Sequence, residues 1–494
     1  MKNRTNEYWI MNKKLNLWKS LVLVCFLLSA ASLYAKVKLP SILGDNMVLQ
    51  QKSAVKFWGW AAENAKIKIK TSWSKETFTT TADSKGNWLL KVNTPDAGGP
   101  FQIIVSDGEA LTLNNIFIGE VWFCSGQSNM EMPMRGFDRQ PVKGGNNVIA
   151  KANPKVPIRM FTTDSKDGNW VRQFNKNPQL DCQGQWLDNS PENVANISAA
   201  AYYFARYVQD VLDVPVGIIV SSWGGSIVEA WMSREAIEPF KEIDLSILKN
   251  DSEVKKPQAT PCVLFNAKIA PLTNFTIKGF LWYQGESNRK NADLYAKLMP
   301  AFVGDIRQKW NIGEFPFYFV QIAPFNYEGA DSASAARLRE VQLQNMKEIP
   351  NSGMVTTMDI GHPVFIHPVD KETVGERLAL WALGATYGRK GFGYAPPVYK
   401  ALEKKDKKIY IDFTNAEKGI YPMWTALKGF EIAGEDHVFY PANAEIETAT
   451  TRLVVWSEKV PVPVAVRYAY KNFVEASIFG LAGIPVAPFR TDNW

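Results

Sequence analysis

Between about residue 116 and residue 394 the chain alternates short apolar runs with longer segments of helical periodicity, and that alternation constrains the fold most. The runs Ile116–Cys124, Val216–Val220, Ile277–Tyr283, Pro316–Ile322 and Met354–Asp359 read as buried strands. The segments Ala199–Leu212, Asp293–Trp310, Ala335–Lys347 and Lys371–Ala385 read as helices. Each strand feeds a loop and then a helix. Such units pack as a parallel sheet with helices on both faces, so the expected fold class is α/β with three α/β/α layers. Ligands bind such sheets beyond the carboxyl ends of the strands, which directs attention to the strand-end loops.

A chain of 494 residues is too long for one ordinary core, and its flanks read differently from its middle. Residues 36–115 carry short alternating stretches, Val55–Trp60 and Lys66–Thr71 among them. Turn signals at Gly44-Asp45-Asn46, Ser84-Lys85-Gly86-Asn87 and Gly98-Gly99-Pro100 separate them. A β-sandwich-like domain is expected there. From 395 to 494 the β pattern returns in Lys408–Phe413, Arg452–Trp456 and Val464–Tyr470. Hydrophobic residues make up 46% and charged residues 21%, which excludes disorder as the main state.

Residues 1–35 read as a secretory signal. Lys13, Lys14 and Lys19 precede the apolar run Leu21–Leu28, which is too short to span a membrane, and Ala35 ends the segment. Met11 is an alternative start. Val24 stands before Cys25 where a lipoprotein signal has a small residue, so export without lipid or membrane insertion is expected. Removing five basic residues (Lys2, Arg4, Lys13, Lys14, Lys19) and Glu7 brings the formal charge from +7 to +3. No basic run survives, which argues against nucleic acid as a partner. Cys124, Cys182 and Cys262 remain, without a CxxC or a disulfide framework; a Cys182–Cys262 bridge stays open.

Four loops follow four of the central strands. Cys124-Ser125-Gly126-Gln127-Ser128-Asn129-Met130 sets a serine just past a buried strand, where a nucleophile is exposed and served by backbone N–H groups; a helix cap reads the same way. Ser221-Ser222-Trp223-Gly224-Gly225-Ser226 offers close backbone approach or an ordinary turn. Trp282-Tyr283-Gln284-Gly285-Glu286-Ser287-Asn288 clusters polar groups after an apolar strand. The fourth loop, His362-Pro363-Val364-Phe365-Ile366-His367-Pro368, holds two of the chain's three histidines, the third being His437. There is no HExxH, no Gly-rich phosphate loop, no dinucleotide fingerprint and no GxSxG at Ser128, so neither a metal nor a cofactor is expected.

Taken together, Gly119–Met134, Trp223–Ser226, Gly279–Asn288 and Ile366–Leu380 resemble the sialate O-acetylesterases, which belong to the SGNH-type hydrolases. Phe265–Leu272 and Phe489–Trp494 extend the likeness to the last residue. The resemblance implies an SGNH-hydrolase-like domain at 116–394 that removes acetyl groups from saccharides. It implies Ser128 as nucleophile and His367 as base. The implied oxyanion donors are the N–H groups of Ser128 and Gly225 and the Gln284 side chain, with Asn288 as the other choice for the last. The family carries an aspartate just before the histidine, where this chain has Val364 and Phe365. The nearest acids are Asp359, before the loop, and Asp370, in a helix-capping position. The reading adopted is a dyad whose histidine is oriented by a carbonyl or a neutral side chain.

Two other readings compete. A sugar-binding protein that lost activity is suggested by the missing aspartate, and a peptidase or lipid esterase by the nucleophile alone, although no apolar lid segment is visible. The leader reading makes a direct prediction. The intact mass of protein from its native host should place the first residue near Lys36 and show no lipid; a mass matching acylated Cys25 overturns it.

Overall fold

A computed structural model describes residues 36–494 apart from 164, 167, 168, 251, 424, 449 and 450, with backbone only for 165, 166, 169 and 170. The expected leader, with Ala35 and Cys25, lies outside the described residues. Two compact units are distinguished. Trp58–Leu90 and Ile103–Thr112 belong to the first, and Leu113–Trp494 makes up most of the second. In the first unit, Lys66–Thr71 pairs antiparallel with Thr77–Thr81 and with Ile103–Ser106. Its lysines face outward while Ile67 and Ile69 are fully buried, the period-two pattern of a half-buried strand.

The second unit is built on a seven-strand path: β1 (Ala110–Gly126, in this unit from Leu113), β2 (Ile158–Thr162), β3 (Gln185–Leu187), β4 (Val216–Ser222), β5 (Gly279–Tyr283), β6 (Phe317–Val320) and β7 (Ser352–Val355). Their order is β3-β2-β4-β1-β5-β6-β7. Only β3 runs antiparallel to its neighbour; the other pairings are parallel. The principal helices are α1 (Ala199–Leu212), α2 (Ala292–Trp310), α3 (Ser334–Glu348) and α4 (Lys371–Trp381).

Alternation along β1 creates the layers. Trp122 points to one face, where its ring meets Phe204 of α1 at 5.0 Å. Phe123 points to the other, meeting Phe280 at 4.9 Å and Trp310 of α2 at 5.2 Å. Helices α1 and α4 pack together, as do α2 and α3, giving the α/β/α sandwich. After Val398 the chain forms two four-stranded antiparallel sheets, the β-rich C-terminal region. Among the described residues no helix is long and apolar enough to cross a membrane. Cys124, Cys182 and Cys262 are buried free thiols, so the Cys182–Cys262 bridge left open above is not formed.

The α1–α4 crossing is close because position 375 is glycine. A Cβ there would lie 2.5 Å from Tyr203 Cβ, 2.7 Å from Phe204 N and 2.8 Å from Ala200 O. Two of those three atoms are backbone, so the helices themselves would have to separate. Although alanine gains about 1 kcal/mol of helix propensity over glycine, overpacking here should outweigh it. Gly375→Ala is expected to destabilise the fold by about 1–3 kcal/mol, measured by urea denaturation. An unchanged midpoint overturns this account of the crossing.

Candidate active site

Parallel registers bring three strand ends level. Gly126 on β1 pairs with Ser222 on β4 and with Tyr283 on β5. Gly126 adopts φ +145°, and a Cβ there would sit 2.1 Å from Tyr283 O, so only glycine allows this approach. The chain then turns through Gln127 into a single helical turn, Ser128–Glu131. Gln127 and Asn129 are almost fully buried while Ser128 is half-exposed. Gln127 Oε1 accepts from Gly285 N at 3.2 Å, fixing this turn against the loop after β5.

The histidine arrives from the opposite side. After β7 the chain runs through Asp359 and His362 to His367, whose Nε2 lies 2.9 Å from Ser128 Oγ. Its Nδ1 lies 2.7 Å from Gln140 Oε1. An amide oxygen only accepts, so Nδ1 carries the proton and Nε2 presents its lone pair to the serine hydroxyl. Gln140 belongs to a tight turn in which Phe137 and Gln140 exchange two backbone hydrogen bonds of 3.0 Å. The Phe137 ring packs edge-on to the imidazole at 5.2 Å. Burial, then the nearby Lys371 ammonium, pushes the His367 pKa down to about 4.

The other expected residues are placed as follows. Asp359 is held by Arg377 through two hydrogen bonds of 2.8 and 2.6 Å. Asp370 caps α4 by accepting from Thr373 N at 3.0 Å and pairs with Lys143 at 3.1 Å. Neither carboxylate contacts His367. His362 Nδ1 accepts from Val364 N and Phe365 N, shaping its own loop. His437 stacks on Trp494 at 3.9 Å, within the C-terminal sheets. Gly225 has φ +72°, and its N–H donates to no group among the described residues. Gln284 is fully buried, and its Nε2 donates to Ser226 O at 3.0 Å and Asn288 Oδ1 at 2.7 Å. Asn288 Oδ1 also accepts from Val228 N, and its Nδ2 donates to Glu229. Through these bonds both amides brace the loop after β4.

Several residues of the site were not singled out from the sequence. Glu131 accepts from Gly224 N and pairs with Arg172 at 2.6 Å. Arg172 in turn lies over the Trp223 ring at 4.6 Å. Lys268, buried within Phe265–Leu272, donates to Ser222 O at 3.0 Å. Gln140 lies outside every motif block and carries no sequence signal.

Residues 118–382 match the family described as "Carbohydrate esterase, sialic acid-specific acetylesterase". The chain belongs to this carbohydrate esterase family. It is 27% identical to the sialate O-acetylesterase of Rattus norvegicus over 91% of this chain and 93% of that protein. Against the Homo sapiens sialate O-acetylesterase the identity is 28%, over 88% and 87%. A carbohydrate acetylesterase from Xanthomonas citri is similar in structure, with TM-score 0.83 and 32% identity, covering 93% of this chain and all of that one. The fold of this esterase is therefore the α/β/α type that its motifs implied, with β-rich additions.

Burial and the Lys371 charge both disfavour imidazolium, so His367 should keep its lone pair well below the ordinary histidine range. In an NMR titration its imidazole is expected to protonate with a midpoint near 4. A midpoint at or above the ordinary 6.5 overturns the description of its surroundings.

Proposed function

We propose that this carbohydrate esterase hydrolyses O-acetyl esters of saccharides with Ser128 as nucleophile and His367 as general base. The observation that carries the proposal is the 2.9 Å contact between Ser128 Oγ and an imidazole whose other nitrogen is tied to Gln140. His367 Nε2 takes the hydroxyl proton as Oγ attacks the acetyl carbon. The tetrahedral oxyanion is met by the N–H groups of Ser128 and Gly225. Ser128 opens a helical turn, where N–H groups lack intrahelical partners, and each such donor contributes roughly 10²–10³ in rate. The ester C–O bond then breaks, and His367 returns the proton to the departing sugar oxygen. Water attacks the acetyl-enzyme, its proton passes through His367 to Ser128, and acetate leaves.

Gln140 takes the orienting task that a carboxylate performs in a triad. A neutral amide fixes the ring and tautomer but does not stabilise imidazolium as an anion would, which agrees with the lowered pKa of His367. The names of the similar proteins support acetylated sugars as the substrate class, sialic acid or other glycans included. Export through the leader at 1–35 completes the reading. So do the boundaries near 116 and 395, between a β-sandwich-like domain, the esterase domain and a β-rich C-terminal region.

With p-nitrophenyl acetate and a panel of acetylated glycans, Ser128→Ala should lower kcat by at least roughly 10³ while the fold is kept. His367→Ala should act alike, His362→Ala less, and His437→Ala not at all. Asp359→Asn and Asp370→Asn should stay near wild type, whereas Gln140→Leu should lower kcat. Near-normal turnover in folded Ser128→Ala sinks the serine mechanism. A drop beyond roughly 10³ in either aspartate variant identifies a triad acid and removes the dyad.

A further inference from the structure

Beneath the Ser128–His367 contact lies a buried polar chain that the mechanism above does not use. Lys371, the first residue of α4, is fully buried, and its Nζ donates to Asn129 Oδ1 at 2.6 Å. Asn129 Nδ2 donates to Glu286 Oε1 at 2.6 Å and to Ile366 O at 3.3 Å. Glu286 is also buried, and its Oε2 has no hydrogen-bond partner among the described residues. The Lys371 ammonium lies 5.5 Å from the centre of the Tyr283 ring. The amide orientation follows from the charges, since an ammonium only donates and a carboxylate only accepts.

This is an expensive arrangement for a merely structural purpose. Burying an ammonium is unfavourable unless it is paired, and a cation at a helix N-terminus opposes the helix dipole. The partner carboxylate is reached only through Asn129. What the three residues do together is join three loops. Asn129 follows Ser128, Glu286 sits in the loop after β5, and Ile366 precedes His367. Resting on the Ser128–His367 reading, we propose that Lys371 is a positioning residue for the reaction: held on Asn129 with Glu286 as counter-ion, it clamps the Ser128 turn to the His367 loop and sets the charge that the imidazole faces.

The other charged groups around His367 are matched or turned outward. Asp370, on its own segment, pairs with Lys143. On the Ser128 turn, Glu131 pairs with Arg172. Asp138 and Arg139, on the Gln140 turn, are exposed and of opposite sign. Glu286 faces Lys371 across Asn129. Burial pushes Lys371 down to about 7 and raises Glu286, as expected of ions held in a dry interior.

The test compares wild type, Lys371→Met and Ser128→Ala, with kcat referred to sites counted by a serine-reactive phosphonate and kcat/KM followed from pH 3.5 to 8. Lys371→Met is expected to lower kcat per counted site by about tenfold or more, with KM within about threefold. The acid limb of kcat/KM should also move to higher pH, because removing the cation eases protonation of His367. Should Lys371→Met not fold, the double variant Lys371→Met with Glu286→Gln leaves no buried charge unpaired, and its acid limb is compared with that of Glu286→Gln alone, where the same upward move is expected. An acid limb that stays with wild type overturns the proposal, whether or not kcat falls, since lost packing alone does not move it. Normal turnover in Ser128→Ala removes the underlying reading instead, so the two failures are told apart.

Discussion

The site depends on the register of three parallel strands. Because Ser222, Gly126 and Tyr283 are level, the loops after β4, β1 and β5 leave the sheet together and meet. A glycine at 126 allows β1 to run against the Tyr283 carbonyl before the chain turns into Ser128. The side chains that follow are committed to binding the loops to one another: Gln127 to Gly285, Glu131 to Gly224, Gln284 to Ser226. Buried amides and carboxylates are tolerated here because each finds at least one partner. What remains half-exposed in the Ser128 turn is Ser128 itself.

The imidazole comes from an edge strand, two positions beyond β5, and needs separate anchoring. Two devices supply it. The turn at Phe137–Gln140 holds the ring from the outside through an amide oxygen and an aromatic edge. Asn129 holds the preceding carbonyl from below. Val364 and Phe365, at the positions where the resemblance anticipates an acid, point away and are exposed. The group that meets His367 Nδ1 is instead the neutral amide of Gln140, on a different stretch of chain.

Much of this was legible in the sequence. The five central strands and four helices follow from apolar runs and helical periodicity, and Ala199–Leu212 begins and ends where its pattern does. Strand β2 was missed because Arg159 interrupts its apolar run; that side chain is buried, with its guanidinium 4.8 Å from the Phe117 ring and one nitrogen on the Ile158 carbonyl. Strand-end loops in a parallel sheet are few and histidine is scarce, which narrowed the candidates, and the resemblance then pointed to Ser128 and His367. Asn129, Glu131, Glu286 and Lys371 lay inside the motif blocks, yet nothing local distinguishes a network residue from its neighbours. Gln140 is a glutamine in an exposed turn, and only the three-dimensional return of the His367 loop gives it a role. For Gln284 the resemblance implied a donor to the oxyanion, and its bonds to Ser226 O and Asn288 Oδ1 appear only in three dimensions.

The contacts that matter most are also the most distant along the chain. Ser128 and His367 are separated by 239 positions, and Gln140 and His367 by 227. Between them lie β2 to β7 and three of the four principal helices. Closing loops of that size is slow because chain entropy must be spent before the contact is rewarded. A chain that has gained its helices but not its complete strand order therefore has secondary structure and no site. For this molecule the serine–imidazole contact is a marker of finished assembly, because it forms only when strands far apart in the chain lie in their complete order.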